Sequence, residues 1–160
     1  MSAEFYQEYI ESNRAIIYKI CRAYAEDDPE FQDYFQEVCL QLWKARKNFN
    51  HESKLSTWIY RVTLNVCLSL VRTKRNKPQK VEIREYHATR VPEDEDLEAL
   101  RLDMLYKAIR KLKEVDRGII LLYLESKSYQ DIADIMGISM SHVGVKVNRI
   151  KKQLKNMING

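Results

Sequence analysis

The side chains near the C-terminus have the types and spacing of a DNA-reading surface. They are an imidazole, a small apolar group and two cations, at His142, Val145, Lys146 and Arg149. On a helix they fall within roughly 100° of arc. The two cations can donate to guanine O6 and N7 or to phosphates, the imidazole to a base edge or phosphate, and the valine can meet a thymine methyl. A plain helical hairpin with a basic solvent face is the alternative.

A helix–turn–helix is predicted around these residues, because the helix that carries them has an apolar stripe. The stripe consists of Val143, Val147, Ile150, Leu154 and Met157, at steps of four and three. The preceding short helix offers Ile132, Ala133 and Met136 for packing. Gly137 should end that helix, and Ser139 or Ser141 should cap the next one. Gly144 is expected on the outer back of the last helix, near Lys151 and Lys155, away from the reading side.

A second candidate nucleic-acid surface lies on the predicted helix 54–76 and on the loop before it. The polar arc of this mostly apolar helix carries Lys54, Thr57, Arg61, Asn65 and Arg72, and the loop carries Phe49, Asn50 and His51. Aromatic rings, amides and cations together suit unstacked single-stranded bases, which stack, are read at their edges and are held by phosphate. Trp58 borders this surface, although an aromatic residue at helical spacing is more often part of the core.

The predicted helix before that loop has the character of a protein-docking element. Its inward side carries Phe31, Phe35, Val38 and Leu42, and its opposite side carries Asp33, Gln36, Glu37, Leu40 and Lys44, with Trp43 at the edge. An exposed leucine within an acidic and amide face indicates a protein partner rather than a nucleic acid. A scattered surface leucine is the alternative.

Charge is segregated along the 160 residues. Residues 1–43 carry a net charge of −6, residues 44–80 carry +9 and residues 140–160 carry +5, within a total of +4. Two concentrated basic segments indicate two surfaces that face a polyanion. The histidines are scattered and there is no glycine-rich phosphate loop, so neither an enzyme nor a cofactor or metal site is predicted. The three cysteines are expected to be buried thiols.

The predicted fold is all-α, with two small helical domains joined by a linker. Only 4 glycines and 3 prolines are present, which favours long helices over a turn-rich β fold. The predicted domains are 1–77 and 96–160, separated by an acidic linker at 78–95. Predicted helices cover about 3–25, 28–47, 54–76, 96–113, 116–125, 129–136 and 140–157. No secretion signal and no membrane span are expected.

Three segments of the chain resemble, in the same order, segments of the extracytoplasmic-function sigma factors of bacterial RNA polymerase. They are QDYFQEVCLQLW (32–43), KLSTWIYRVTLNVCLSLVRTKRNK (54–77) and AIRKLKEVDRGIILLYLESKSYQDIADIMGISMSHVGVKVNRIKKQL (108–154). In that family the first docks on polymerase, the second melts and reads the −10 promoter element, and the third reads the −35 element. The chain departs from the family pattern at Lys113, Gly144 and Val145. Because Gly144 and Val145 replace a lysine and a serine of the family's −35-reading segment, an unusual −35 sequence is expected.

The resemblance implies a cytoplasmic sigma factor that is not inserted in the membrane and has no cofactor. Its implied partners are core RNA polymerase (the β′ clamp helices and the β flap), promoter DNA and an anti-sigma factor, with the acidic linker in the polymerase channel. The implied −35 contacts are Ser141, His142, Val145, Lys146, Arg149 and Lys152. The implied −10 contacts are Phe49, Asn50, His51, Lys54, Thr57, Trp58, Arg61, Asn65 and Arg72. The implied polymerase contacts are Asp33, Gln36, Glu37, Leu40 and Trp43.

Two alternatives make different predictions. A stand-alone helix–turn–helix regulator would bind a duplex operator by itself and would dimerise, yet it leaves the N-terminal basic segment without a role. A helical adaptor that binds only protein would show no salt-dependent affinity for DNA.

Overall fold

The computed structural model describes residues 1–76 and 96–159. The chain divides into two compact units, Met1–Lys80 and Val81–Gly160. Every regular element among the described residues is helical, which confirms the predicted all-α class. The predicted linker, 78–95, lies outside the described residues, so the bounds of the linker and of the domains stay predictions. No helix in the described ranges is long and apolar enough to cross a bilayer.

The N-terminal unit is built on three long helices that follow a short one. These are α1 (Ala3–Phe5), α2 (Arg14–Tyr24), α3 (Asp28–Ala45) and α4 (Leu55–Arg75). The long helices bury Ile17, Ile20, Val38, Leu42, Ile59 and Leu64 between them. A carboxylate caps α3, because Asp27 accepts a hydrogen bond from the backbone N–H of Glu30 at 2.8 Å. The cap therefore lies directly before Asp28, the first residue of α3.

The predicted continuous helix 3–25 is wrong between α1 and α2. A π-helical turn occupies Tyr6–Ile10 and a 3₁₀ turn occupies Glu11–Asn13. The Ser12 hydroxyl donates to the backbone carbonyl of Gln7 at 3.0 Å, and the Asn13 amide donates to that of Tyr9 at 3.1 Å. Side-chain donors of this kind compete with backbone N–H groups for carbonyls, and so they interrupt regular α geometry.

The predicted inward face of α3 is only partly correct. Val38 and Leu42 are buried as predicted, whereas Phe31 and Phe35 are half-buried at the edge of the core. Both phenylalanine rings pack on Tyr18 of α2, with centroid distances of 5.4 and 4.9 Å. The aromatic side chains therefore close the rim between α2 and α3 rather than the centre of the unit.

All three cysteines lie in the core of the N-terminal unit as free thiols, as predicted. Burial raises the pKa of the Cys39 thiol to about 11. A hydrogen bond with Cys21, together with burial, also raises the pKa of Cys67 well above its ordinary value. Because the thiolate is the reactive form, these side chains act as small apolar groups at neutral pH.

Between residues 96 and 159, the C-terminal unit contains four helices, α5 (Leu97–Ile109), α6 (Glu114–Leu124), α7 (Tyr129–Met136) and α8 (Met140–Asn159). Their core contains Ile109, Ile119, Ile120, Leu122, Ile132, Val143, Val147 and Ile150, all nearly inaccessible to solvent. Helix α5 ends four residues before the predicted boundary at 113, and α6 begins at Glu114 rather than at 116.

The predicted helix–turn–helix is formed by α7 and α8. Gly137 ends α7 with a φ of +71°, a conformation that glycine adopts without strain. Ser139 then caps α8, since its hydroxyl accepts from the backbone N–H of His142 at 3.2 Å. The apolar stripe of α8 is buried from Val143 to Leu154. Its predicted last member is wrong, because Met157 is exposed near the end of the helix.

Candidate nucleic-acid interface

The predicted reading side of α8 is presented to solvent over most of its length. Ser141, His142, Arg149 and Lys152 are exposed, and Val145 is 64% exposed although it is apolar. The buried stripe of the same helix packs against the rest of the C-terminal unit. A recognition helix needs one side packed on its domain and one side accessible to DNA, and α8 has both.

A buried carboxylate lies beneath this surface, and sequence reasoning missed it. Asp116, in the first turn of α6, is 3% exposed. One of its oxygens, Oδ1, lies 3.3 Å from the ammonium of Lys146, and the other, Oδ2, lies 3.8 Å from Nη2 of Arg149. In the sequence, an acidic residue in a first helical turn is already explained by the helix dipole. The partners of Asp116 lie about thirty residues away, so no local pattern indicated the ion pairs.

The back of α8 packs on tyrosines of α6 and α7. Gly144 is half-buried, and a Cβ at its position would lie 3.5 Å from the ring of Tyr129. About two turns later along this side, the ammonium of Lys151 lies 4.4 Å from the centroid of Tyr123, a cation–π distance. Gly144 is therefore away from the reading side, as predicted, although a tyrosine ring covers it.

The loop between α3 and α4 displays its polar groups on an aromatic support. Asn50 and His51 are exposed, and the amide oxygen of Asn50 accepts from the backbone N–H of Glu52 at 3.2 Å. The His51 backbone adopts a φ of +63°, which is unusual outside glycine. Its ring lies 4.5 Å from that of the half-buried Phe49. The loop has the unstacked, exposed amide and imidazole that a single-stranded base can meet.

Trp58 is part of the core of the N-terminal unit, as its helical spacing favoured, and is 8% exposed. Its ring lies 5.3 Å from Phe49 and 6.1 Å from Tyr9, measured between centroids. The Trp58 ring therefore supports the Phe49 side of the loop, and its predicted contact with the −10 element stays a prediction.

The polar arc of α4 continues the surface of the loop. Lys54, Asn65 and Arg72 are exposed, and Thr57 and Arg61 are half-buried. Nearer the end of the helix, Lys74 is bound by two carboxylates, those of Glu30 at 2.8 Å and Glu26 at 3.0 Å. These ion pairs anchor the last turn of α4 to the beginning of α3. The predicted arc thus remains accessible while the helix end is held.

The predicted docking side of α3 is also on the surface. Asp33 and Gln36 are exposed, and Leu40 is 41% exposed among them. Glu37 is half-buried and accepts from the amide of Gln41 at 2.8 Å. Trp43 is half-buried as well; its ring meets that of Phe5 edge to face at 5.1 Å, and the guanidinium of Arg46 lies 3.6 Å from its centroid. The face combines acidic groups, an amide, a leucine and a fixed indole.

No group of three or more histidine, cysteine, aspartate or glutamate side chains in the described ranges is arranged to hold a metal ion.

Comparison with known proteins places two family segments on the two units. Residues 9–77 match Sigma-70 region 2, and residues 102–154 match Sigma-70, region 4. The chain is 26% identical to the ECF RNA polymerase sigma-E factor of Haemophilus influenzae, over 81% of this chain and 75% of that protein. It is 25% identical to the ECF RNA polymerase sigma factor SigW of Bacillus subtilis, over 88% of this chain and 84% of that protein.

Two solved structures have a similar fold. The sigma factor RpoE from Bartonella quintana, solved with the anti-sigma factor NepR, matches with a TM-score of 0.74 and 20% identity, covering 99% of this chain and 98% of that one. CnrH, solved with the cytosolic domain of CnrY, matches with a TM-score of 0.70 and 16% identity, covering 99% and 90%. At identities of 20% and 16%, this similarity shows a shared fold alone.

Proposed function

The chain belongs to the extracytoplasmic-function sigma factors of bacterial RNA polymerase, and from this premise we propose which surfaces perform each step of promoter recognition. The observation that carries the proposal is the presence of a region 2 and a region 4 segment in one chain, each within its own compact unit. A helix–turn–helix regulator needs only the second of these, so it would leave the first without a role.

The C-terminal unit reads the −35 element as duplex DNA. Helix α8 enters the major groove, where His142, Val145 and Arg149 face the base edges and Lys152 faces the phosphate backbone. Ser141, in the first turn of α8, binds a phosphate beside the groove. Lys146 belongs to the same side, but its ammonium is bound to Asp116 in the free protein.

The N-terminal unit captures single-stranded bases of the −10 element. Asn50 and His51 meet a base that has left the stack, and Phe49 and Trp58 support them from below. Thr57 and Asn65 lie along the path of the single DNA strand. The phosphates of that strand are neutralised by Lys54, Arg61 and Arg72. Stacking and hydrogen bonds to the unpaired bases offset the free energy that unpairing costs.

Docking on core polymerase uses the outer side of α3. Leu40 and the edge of Trp43 supply apolar contact, and Asp33, Gln36 and Glu37 supply polar contacts to the β′ clamp helices. The C-terminal unit contacts the β flap. The protein acts in the cytoplasm and does not itself catalyse a reaction. An anti-sigma factor binds it when the genes that it directs polymerase to are not transcribed.

The proposal is tested by mixing the full chain with bacterial core RNA polymerase. We expect co-elution on size exclusion and run-off transcription from promoter fragments that core polymerase alone does not use. Glu37→Lys should lower the affinity for core polymerase about tenfold or more, since a charge is reversed at a docking face. The matched reversal Glu8→Lys, at an exposed position outside that face, should not. A chain that never binds core polymerase would remove the proposal.

A further inference from the structure

Asp116 is a buried charge placed directly under the proposed −35 reading side. Its side chain is 4% exposed, and both of its oxygens face cations of α8. A carboxylate removed from water in this way is stable only if it is paired and hydrogen-bonded. Both cations belong to the predicted reading side of α8, and either type of side chain can bind guanine or phosphate when it is free.

The two cations are not equivalent. Lys146 is the closer partner, at 3.3 Å, and its own side chain is only 19% exposed. Arg149 is farther away, at 3.8 Å through Nη2, and its side chain is 52% exposed. Lys146 therefore serves as the internal counter-ion of Asp116. The guanidinium of Arg149 forms a longer ion pair with the carboxylate through one nitrogen, and about half of the Arg149 side chain is exposed.

We propose that Asp116 is a specificity-determining residue of the −35 interface, which rests on the sigma-factor function proposed above. It acts by positioning. The carboxylate withholds Lys146 from phosphates and bases, and it orients the guanidinium fork of Arg149 toward the O6 and N7 atoms of a guanine in the major groove. A free lysine at the same place would bind any nearby phosphate, which adds affinity without sequence preference.

The ligand is thus a guanine at one position of the duplex −35 element. Arginine makes a bidentate contact to guanine only when its planar fork is aimed along the base edge. A flexible side chain must lose rotamer freedom on binding, whereas one already held by a carboxylate loses less. Asp116 supplies that orientation from a different helix, because α6 packs against α8.

The test uses holoenzyme, formed from the full chain and bacterial core polymerase, and a duplex DNA library with a randomised block. Bound sequences are recovered from wild type and from Asp116→Asn, and affinity for unselected duplex DNA is measured against salt concentration. The variant should lose about tenfold or more of the preference for guanine at one position. Its log–log salt slope should steepen by about one as Lys146 becomes free to meet a phosphate.

Two further variants separate position from charge and from folding. Glu98→Gln removes one negative charge at an exposed site on α5, and it should change neither the motif nor the slope. The double variant Asp116→Leu with Lys146→Met replaces the buried pair by apolar groups, a change that stability often tolerates. It keeps Arg149 without its carboxylate, so it should also lose the guanine preference. Circular dichroism melts identify which variants are folded.

The outcomes distinguish this inference from the function on which it rests. If wild-type holoenzyme enriches no motif, the proposed −35 reading is wrong, and the role of Asp116 with it. If wild type enriches a motif and the folded variants reproduce it with an unchanged salt slope, Asp116 is only an internal counter-ion and the inference alone is overturned.

Discussion

The two units present their proposed DNA-contacting side chains in different ways. In the C-terminal unit, the residues that hold α8 in place and those that face solvent lie on opposite sides of one helix, as Val147 and Val145 illustrate. In the N-terminal unit, the ring of the exposed His51 packs against Phe49, and the Phe49 ring packs against Trp58 in the core. In the C-terminal unit, the residues that pack the helix differ from those that are proposed to contact DNA. In the N-terminal unit, the residues proposed to contact DNA rest directly on the core.

This difference has a physical origin in the state of the DNA that each unit is proposed to bind. A duplex presents its base edges in a groove that a rigid helix can enter. The reading side of such a helix therefore needs only that the opposite side is packed on its domain. An unpaired base must be stacked and enclosed, so the surface that receives it needs aromatic and amide groups held in place. Substitutions should therefore separate function from stability more easily in the C-terminal unit.

The largest effect that should sharpen the comparison comes from Trp58→Ala. Removing a ring that is 8% exposed should lower the free energy of unfolding of the N-terminal unit by about 3–5 kcal/mol. Urea unfolding followed by the fluorescence of Trp43, the remaining tryptophan, measures this loss. The paired variant Val145→Ala should stay within about 0.5 kcal/mol while it changes the preferred −35 sequence. Equal losses from both changes would contradict the proposed difference between the units.

The sequence predicted the C-terminal unit well because its pattern is local. The steps of four and three between Val143 and Leu154, with Gly137 and Ser139 before them, are sufficient to specify a turn and an amphipathic helix. The same kind of pattern failed for residues 3–25. There the apolar spacing continues through the irregular turns around Ser12, and hydrogen bonds from side chains to carbonyls, which periodicity does not register, decide the geometry.

The candidate sites were predictable to the extent that exposure decides them. Asn50, Val145 and Leu40 are exposed as expected, since polar or unmatched apolar residues lay outside the buried stripes. The contact between Asp116 and Lys146 was not predictable, because a pair across two helices follows from tertiary packing. The half-burial of Phe31 has the same cause, since its exposure depends on where α2 lies.

The next effect is an alkaline sensitivity of the N-terminal unit, which contains all three cysteines. Burial raises the pKa of Cys39 to about 11, above the ordinary value that the unfolded chain should show. The folded state holds this proton more tightly, so the stabilisation is complete below the unfolded pKa and is lost as pH rises toward the folded one. Between pH 7 and pH 10 the loss should be about 1–2 kcal/mol.

Tryptophan fluorescence measures this pH effect in the relevant unit, since both indoles belong to it. The urea midpoint should fall as pH rises, and Cys39→Ala should flatten that dependence relative to wild type. A midpoint that does not move between pH 7 and pH 10 would show that thiol ionisation is not linked to the folding of this unit.

A smaller effect is expected from Gly144→Ala in the C-terminal unit. An added Cβ would meet the Tyr129 ring at 3.5 Å, an ordinary contact, and the helix would gain up to about 1 kcal/mol of propensity. Affinity for the −35 element should not change, because this position is away from the reading side. Thermal unfolding by circular dichroism and binding to the selected duplex check the two halves of the prediction. Weaker DNA binding would place Gly144 at the interface.

The smallest stability effect, at His51, tests whether the comparison has an exception. The φ of +63° at this residue suits glycine, so His51→Gly should stay within about 0.5 kcal/mol of wild type as lost ring contact and relieved strain offset each other. His51→Ala keeps the strained backbone and should be about 1 kcal/mol less stable than the glycine variant. Both variants lack the imidazole, so both should reduce promoter opening equally, measured by permanganate reactivity of unpaired thymines. If both variants open the promoter equally although their stabilities differ, then at the loop tip of the N-terminal unit DNA binding is independent of stability. If opening instead follows stability, the backbone conformation of the loop takes part in DNA capture, and the coupling in this unit extends to its surface.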